Sequence, residues 1–92
     1  MASSIEKLPL GNSLAEGGAV VRNAKDLGAL VHEQRKRIAL TQLDIAGLGN
    51  TGNRFIVELE NGKPTLQLQK VLEVMDLLGL ELVVRAKTPR AI

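Results

Sequence analysis

The chain has 92 residues, with 12 Lys and Arg against 10 Asp and Glu, which gives a formal net charge of +2. Apolar residues make up 45% of it but Phe55 is the only aromatic one, so we predict a single, mostly α-helical domain with an aliphatic core. The absence of cysteine excludes disulfides and thiolate metal sites. Because a domain of this size leaves a large share of its surface exposed, we expect a dimer.

Both ends of the chain have the composition of tails. Residues 1–18 are rich in Gly, Ser and Ala and are predicted to form a flexible N-terminal arm, and residues 87–92 form a basic C-terminal tail, on either side of a domain at 19–86. No stretch approaches the roughly 20 apolar residues of a membrane span, and the N-terminus lacks the pattern of a signal peptide. We therefore expect a soluble, cytoplasmic protein with no membrane association.

The first predicted helix follows the stretch "AVVR" at 19–22, which is compatible with a short strand. Asn23 is predicted to cap the helix, with Asp26 as the acidic member of a capping box. The buried stripe has helical spacing and comprises Leu27, Leu30, Val31, Gln34 and Ile38. The opposite, exposed face is predicted to hold His32, Glu33, Arg35 and Lys36.

A short second helix is predicted over 42–48. Thr41 is its N-cap, and Asp44 stands at the position that completes a capping box. The sequence "GNTG" at 49–52 ends the helix, because Gly and Asn tolerate a left-handed backbone.

Another short helix, over 53–61, follows the turn at once. It is predicted to bury Ile56, Leu59 and part of Phe55, and the sequence "NGKPT" ends it because Pro blocks its continuation. Two short helices joined by a tight turn and braced by longer neighbours form a helix-turn-helix, which presents its second helix to the major groove of DNA.

The last helix is predicted to begin at the cap Thr65 and to end at Gly79. Its buried stripe is expected to comprise Leu68, Val71, Leu72, Met75 and Leu78. Alternating side chains at 80–85 then predict a short strand, which must pair with 19–22, with a second copy across a dimer axis, or with both.

The order of these motifs resembles a known family. "LGALVHEQRK" and the stretch "LTQLDIAGLGNTGNRFIVELENGKPTLQLQKVLEVMDLLGLEL" resemble the Cro and lambda-repressor-like (Xre) helix-turn-helix regulators, and most closely the HipB-type antitoxins, over roughly 60 of the 92 positions. The specific marks are "TQ" with Ala46 four residues after Gln42, the phrase "GNRFIVELENGKPT" and the closing "LLGLEL".

The resemblance implies a lambda-repressor-like domain of four to five helices. It also implies a bacterial, dimeric repressor that binds double-stranded DNA at a palindromic operator upstream of its own operon, is nucleoid-associated when bound there, and holds a HipA-type kinase toxin. Phosphate contacts would come from Gln42, Lys63 and Thr65. The groove-facing positions would be Gly52, Asn53, Arg54, Val57 and Glu58. The strand would pair across the dimer through Leu80, Leu82, Val83 and Val84.

The side chains at the groove-facing positions differ in the base contacts that they can make. Arg54 can pair with guanine and Asn53 with adenine, and each such bidentate pair is worth roughly 1 to 3 kcal/mol of discrimination. Val57 can contact a thymine methyl group. Four positions depart from the usual family pattern, which affects the operator sequence rather than the fold: Ala39 and Asn50 in place of Gly, Thr51 in place of an aliphatic residue, and Val57 in place of Ser.

Plainer readings stand beside these. Arg54 is also compatible with a solvated position, although a DNA contact is favoured. Glu58, four residues away on the same face, is predicted to orient Arg54 rather than to read a base, and His32 is predicted to be an inert surface residue. The sequence offers no nucleophilic side chain paired with a general base and no set of metal ligands, so we predict neither an enzyme nor a cofactor. Two other functions stay open, namely a protein-interaction module that restrains a toxin kinase with little DNA specificity, and a phage-type repressor without a toxin partner.

Overall fold

The computed structural model describes Leu14 and residues 17–87, so that most of the predicted arm at 1–18 and of the tail at 87–92 lies outside the described residues. Four α-helices follow one another along the described chain: α1 (Ala24–Arg37), α2 (Gln42–Gly49), α3 (Asn53–Glu60) and α4 (Leu68–Leu77). The mostly α-helical fold and the four helices predicted from the sequence are confirmed.

The first two helices begin with side-chain caps. Asn23 Oδ1 accepts a hydrogen bond from the backbone N of Asp26 at 2.8 Å, while Asp26 Oδ2 accepts from Arg22 N, one residue before the expected partner. At α2 the capping box is complete, because Thr41 Oγ1 accepts from Asp44 N at 3.0 Å and Asp44 Oδ2 accepts from Thr41 N at 2.8 Å. The latter hydrogen bond lowers the pKa of Asp44.

All four helices end in the same way. Each helix is followed by one residue whose backbone is left-handed. In chain order these residues are Ala39 (φ 61°), Asn50 (φ 54°), Gly62 (φ 83°) and Gly79 (φ 78°). The next backbone N–H then donates to the carbonyl five residues earlier, as Leu80 N does to Met75 O at 2.8 Å. The chain therefore changes direction after each helix within a few residues, and at Ala39 it does so without the glycine that this conformation favours.

The start of α4 differs from the prediction. The helix begins at Leu68 after Gln67, which makes no side-chain cap, so Thr65 is not its N-cap and lies exposed in the loop. Leu68 is 62% exposed, since nothing in the described chain covers this first turn. Val74 replaces it in the stripe, which follows the spacing of Val71, Val74, Met75 and Leu78.

The core lies where the four helices meet. Its buried members are Val31, Ile45, Ala46, Ile56, Leu59, Val71, Val74, Met75 and Leu78. Half-buried Leu27, Leu40, Phe55, Leu66, Leu72 and Leu80 pack around them. The predicted burial of Ile56, Leu59 and part of Phe55 is confirmed, whereas Ile38 falls just beyond α1 and is exposed.

The segment after α4 is not a strand within this single chain. Residues 80–87 and 19–22 have neither helical nor strand structure, so the pairing of these two segments with each other is not formed. Leu80 packs on the core, but Leu82, Val83 and Val84 are exposed. Pairing of this segment with a second copy remains a prediction.

A buried ion pair connects α1 to α3. Arg35 Nε lies 2.6 Å from Glu60 Oε2 and Arg35 Nη2 lies 3.0 Å from Glu60 Oε1, so the guanidinium binds the carboxylate through two hydrogen bonds. The two side chains are only 9% and 4% exposed. The prediction that Arg35 lies on an exposed face is therefore wrong, because Glu60 gives its charge a partner inside the domain.

Three further groups complete this cluster. His32 Nδ1 lies 2.8 Å from Glu60 Oε1, and since an ionised carboxylate only accepts, the imidazole donates. Gln42 Nε2 donates to the same oxygen at 3.1 Å, and Arg35 Nη1 donates to Leu40 O at 2.8 Å. His32 is thus a member of a polar network rather than an inert surface residue, and the network joins α1, the start of α2 and the end of α3.

The backbones of α1 and α3 also touch beside this cluster. A Cβ atom at Gly28 would lie 2.7 Å from Glu60 O and would collide with Leu59 O as well. A side chain at position 28 would push the two helices apart, so the glycine permits the approach on which the ion pair depends.

We expect Glu60→Gln to lower the free energy of unfolding at pH 7 by about 3 kcal/mol, because Arg35 is left charged and buried without its partner. Burial raises the pKa of Glu60, but hydrogen bonds from Arg35, His32 and Gln42 outweigh it and lower the pKa below the ordinary value of 4.5. The carboxylate therefore stabilises the fold above about pH 4.5, and this contribution is lost as the pH falls through the lowered pKa. Urea unfolding between pH 7 and pH 3 measures both effects.

Glu58→Gln is the matched control, since Glu58 makes ion pairs at the surface of the same helix. Surface ion pairs contribute little to stability, so a much smaller loss is expected there. Equal losses for the two variants, or a deficit of Glu60→Gln that persists unchanged at pH 3, would contradict the assigned role of Glu60.

The turn between α2 and α3 contains an unsatisfied hydroxyl group. Thr51 Oγ1 is buried and has no hydrogen-bond partner among the residues that the structure describes. A buried polar group without a partner keeps the cost of its desolvation. Thr51 is also the position at which the regulators that this sequence resembles usually have an aliphatic residue.

We expect Thr51→Val to raise the free energy of unfolding by about 1 kcal/mol, because it removes the unsatisfied hydroxyl and preserves the shape. The same substitution at Thr41 is the control and should lower it by about 1 kcal/mol, since that hydroxyl caps α2. Denaturant melts of both variants provide the measurement, and a destabilised Thr51→Val would show that the hydroxyl is bonded in solution.

Candidate nucleic-acid interface

The second helix of the helix-turn-helix presents its first residues to solvent. α2 and α3 are joined by residues 50–52, and α3 turns Ile56 and Leu59 into the core. Asn53 and Arg54 lie at the opposite, exposed start of the helix, where the Arg54 side chain is 88% exposed. This is the end of the second helix that reaches base edges in helix-turn-helix proteins.

A small ionic group lies on the exposed side of α3. Glu58 Oε2 lies 3.2 Å from Arg54 Nε and 3.3 Å from Lys63 Nζ. Partial burial raises the pKa of Glu58, but the hydrogen bonds from Arg54 and Lys63 outweigh it and lower the pKa. Two cations and one ionised carboxylate leave this group with a net charge of +1, and Glu58 orients both cations.

Gln42 is fixed at the start of α2 by the polar network. Its Nε2 gives one hydrogen bond to Glu60 Oε1, which leaves the second amide hydrogen available to a ligand. The side chain is half-buried, so its position is set by α3 rather than by solvent.

The remaining predicted site residues have simpler surroundings. Gly52 has an ordinary φ of −78°, and a Cβ atom added there would meet nothing within 4 Å. Val57 is half-buried, and Thr65 is exposed in the loop before α4. The structure therefore brings Arg54, Glu58 and Lys63 together and holds Gln42 beside α3, whereas the Thr65 side chain makes no hydrogen bond within the described chain.

Two residues near this surface escaped the sequence analysis. Glu60 fixes Gln42, and its burial could have been inferred from helical spacing, because Glu60 lies four residues after the core residue Ile56. Lys70 Nζ lies 6.0 Å from the centre of the Phe55 ring, at the outer limit of a cation–π contact. No sequence signal connects residues so far apart in the chain.

The part of the chain that the structure describes contains neither a metal site nor a membrane span. No group of three or more His, Cys, Asp or Glu side chains within it could hold a metal ion. None of its helices combines the length and apolar character that crossing a membrane requires.

Comparison with known proteins agrees with this geometry. No protein-family model matches the chain. An uncharacterized HTH-type transcriptional regulator, y4mF of Sinorhizobium fredii (strain NBRC 101917 / NGR234), is 44% identical over 70 residues, which cover 76% of this chain and 92% of that protein. Two solved structures are similar at 16% identity, with 75% of this chain and 97% of each covered: an "MDT Protein" at a TM-score of 0.70 and a "HipB-O4 20mer complex" at 0.69.

The two kinds of likeness carry different conclusions. At 16% identity the solved structures establish the fold, which is that of HipB as the sequence resemblance predicted. The relative at 44% identity establishes more, and it belongs to a class of regulators and not of enzymes, in agreement with the sequence prediction. This chain belongs to the family of helix-turn-helix transcriptional regulators.

Proposed function

We propose that the protein is an autoregulating repressor that binds a palindromic operator as a homodimer and acts as the antitoxin of a HipA-type kinase toxin. The observation that carries the DNA-binding part is the exposed start of α3, where Asn53 and Arg54 project from a helix whose other face is fixed in the core. Arg54 would pair with guanine and Asn53 with adenine in the major groove.

The neighbourhood of Gly52 supports close approach of DNA. Neither backbone conformation nor packing within the described chain requires glycine at this position, since its φ is ordinary and a Cβ atom would have free space. A missing side chain at the start of α3 leaves its first backbone N–H groups open to an anionic ligand. Val57, one turn further on, would lie against a thymine methyl group.

Phosphate contacts would frame the base contacts. Gln42 would use its free amide hydrogen at the start of α2, and Lys63 and Thr65 would reach the backbone from the loop after α3. Glu58 would hold Arg54 and Lys63 in position until DNA binds, so that their side chains lose little freedom on binding.

Dimerisation would place two such surfaces on one operator. Leu80, Leu82, Val83 and Val84 would pair across the dimer axis, since the last three are exposed in the single chain. Half-sites would then lie about one helical turn of DNA apart, roughly 34 to 36 Å.

The antitoxin part is supported by likeness to HipB in sequence motifs and in fold. A protein of this kind would act in the bacterial cytoplasm and be nucleoid-associated while bound to its operator. A rival function, a module that mainly restrains a toxin kinase, is favoured by the weak charge of α3, because Glu58 neutralises much of the field of Arg54 and Lys63.

A fluorescence-anisotropy titration tests the proposed repressor. Specific sites are bound about 10³ to 10⁷ times more tightly than non-specific DNA, so DNA from upstream of the gene should be preferred over a shuffled control at two salt concentrations. Equal, weak and salt-sensitive binding to both would contradict autoregulation. In that case, co-purification with a HipA-type kinase would support the interaction module.

We expect Arg54→Ala to weaken operator binding by about 5- to 150-fold, the loss that corresponds to roughly 1 to 3 kcal/mol for one bidentate base contact. Arg37→Ala is the matched control, because Arg37 forms the same i, i+4 pair with Glu33 on α1 that Arg54 forms with Glu58 on α3. Binding isotherms of both variants against the preferred operator provide the measurement. Equal affinities of wild type and Arg54→Ala would remove Arg54 from the interface.

A further inference from the structure

An open apolar groove runs between the end of α2 and the exposed side of α4. It has a volume of about 450 Å³ and is lined by Leu48, Leu72 and Leu77 together with Gln69, Glu73 and Asp76. Leu48 is 64% exposed although it lies beside other apolar side chains. Exposed apolar surface bordered by polar groups is typical of an interaction site.

The polar border of this groove is acidic. Glu73 Oε2 accepts a hydrogen bond from Gln69 Nε2 at 3.1 Å, and Asp76 lies one turn further along α4. Within the described chain neither carboxylate forms an ion pair, so the groove carries two uncompensated negative charges.

The segment at 82–87 has the complementary composition. Leu82, Val83 and Val84 are exposed, with Val84 88% exposed, and Arg85 and Lys87 follow them without an ion pair in the described chain. The segment thus combines apolar side chains with two positive charges.

We propose that the groove of each protomer binds the segment 82–87 of a second copy of the chain. Leu82 and Val84, which share one face of an extended segment, would cover Leu48 and Leu77, and Arg85 and Lys87 would face Glu73 and Asp76. This inference rests on the proposed homodimer and specifies what the exchanged segment packs against.

The position of the groove supports exchange between copies. It extends along α4 from Gln69 to Leu77, and Leu77 is followed within a few residues by the segment itself, which does not occupy the groove of its own chain. A two-fold axis near this point would bring each segment to the groove of the other copy. Six extended residues span about 20 Å, enough to follow the two turns of α4 that line the groove.

Charge reversal tests this arrangement. E73K/D76K would turn the groove positive, and R85E/K87E would turn the segment negative. Because a symmetric dimer repeats every contact, either variant alone replaces four attractive charge pairs with four repulsive ones. We expect the dimer dissociation constant of each variant to rise at least about tenfold, as measured by sedimentation equilibrium at low salt. Lys36→Glu, at an exposed position on α1, is the control and should leave the constant unchanged.

An equimolar mixture of the two reversed variants gives the decisive result. In their heterodimer, one groove and one segment are both reversed and the other pair is both native, so every contact is attractive again. We expect the mixture to form heterodimers with a dissociation constant within about threefold of wild type. No recovery in the mixture would overturn the proposal, whether the segment folds onto its own groove or binds elsewhere.

An uncharged variant separates the groove from the homodimer as such. Leu48→Gln should weaken the dimer about tenfold, and its exposure means that the fold should be unaffected. A monomeric wild type would refute the homodimer itself. A wild-type dimer that is insensitive to Leu48→Gln and to both charge reversals would refute the groove and leave the homodimer standing.

Discussion

The carboxylate of Glu60 is the point at which three helices are tied to one another. It binds the Arg35 guanidinium of α1 through both oxygens and accepts a hydrogen bond from Gln42 at the start of α2. Because it is almost fully buried, each partner must be in place for its charge to be tolerated. The angle at which α3 leaves the body of the protein is therefore fixed by electrostatics as well as by packing, and Gly28 permits the close approach that this requires.

This constraint explains how two helices of eight residues each are stable. Isolated helices of that length are marginal in water. Here α2 has a complete capping box, and α3 is tied at its last residue, Glu60, while Ile56 and Leu59 bury its inner face. Since the inner face and the end of α3 are fixed, its first residues are not needed to stabilise the fold. Asn53 and Arg54 can thus vary to suit a binding partner without loss of the fold.

The sequence predicted local structure well because local structure has local causes. The capping box of Thr41 with Asp44 and the left-handed Asn50 both act within a few residues, and each was found as predicted. In the apolar stripe of α1, Leu30 and Val31 are buried as predicted, but Ile38 is exposed. The Arg35 to Glu60 pair was missed because its members are 25 residues apart. The charge of Arg35 suggested an outer position, although it lies four residues after the buried Val31 and therefore beside the buried stripe of α1. The contact of Arg54 with Glu58 could be predicted because both residues lie on one helix, four residues apart. Lys63 lies beyond that helix, so it was recognised as a site residue but not as part of the ionic group.

The left-handed residues that end the four helices are of two kinds. Gly62 and Gly79 adopt this conformation without strain, whereas in Ala39 the Cβ atom makes the same conformation sterically unfavourable. The chain tolerates the penalty because the hydrogen bond of Leu40 N to Arg35 O and the polar network beside it determine the turn. The junction of α1 and α2 is consequently a place where evolution or a protein engineer can strengthen the domain without changing its core or the exposed start of α3.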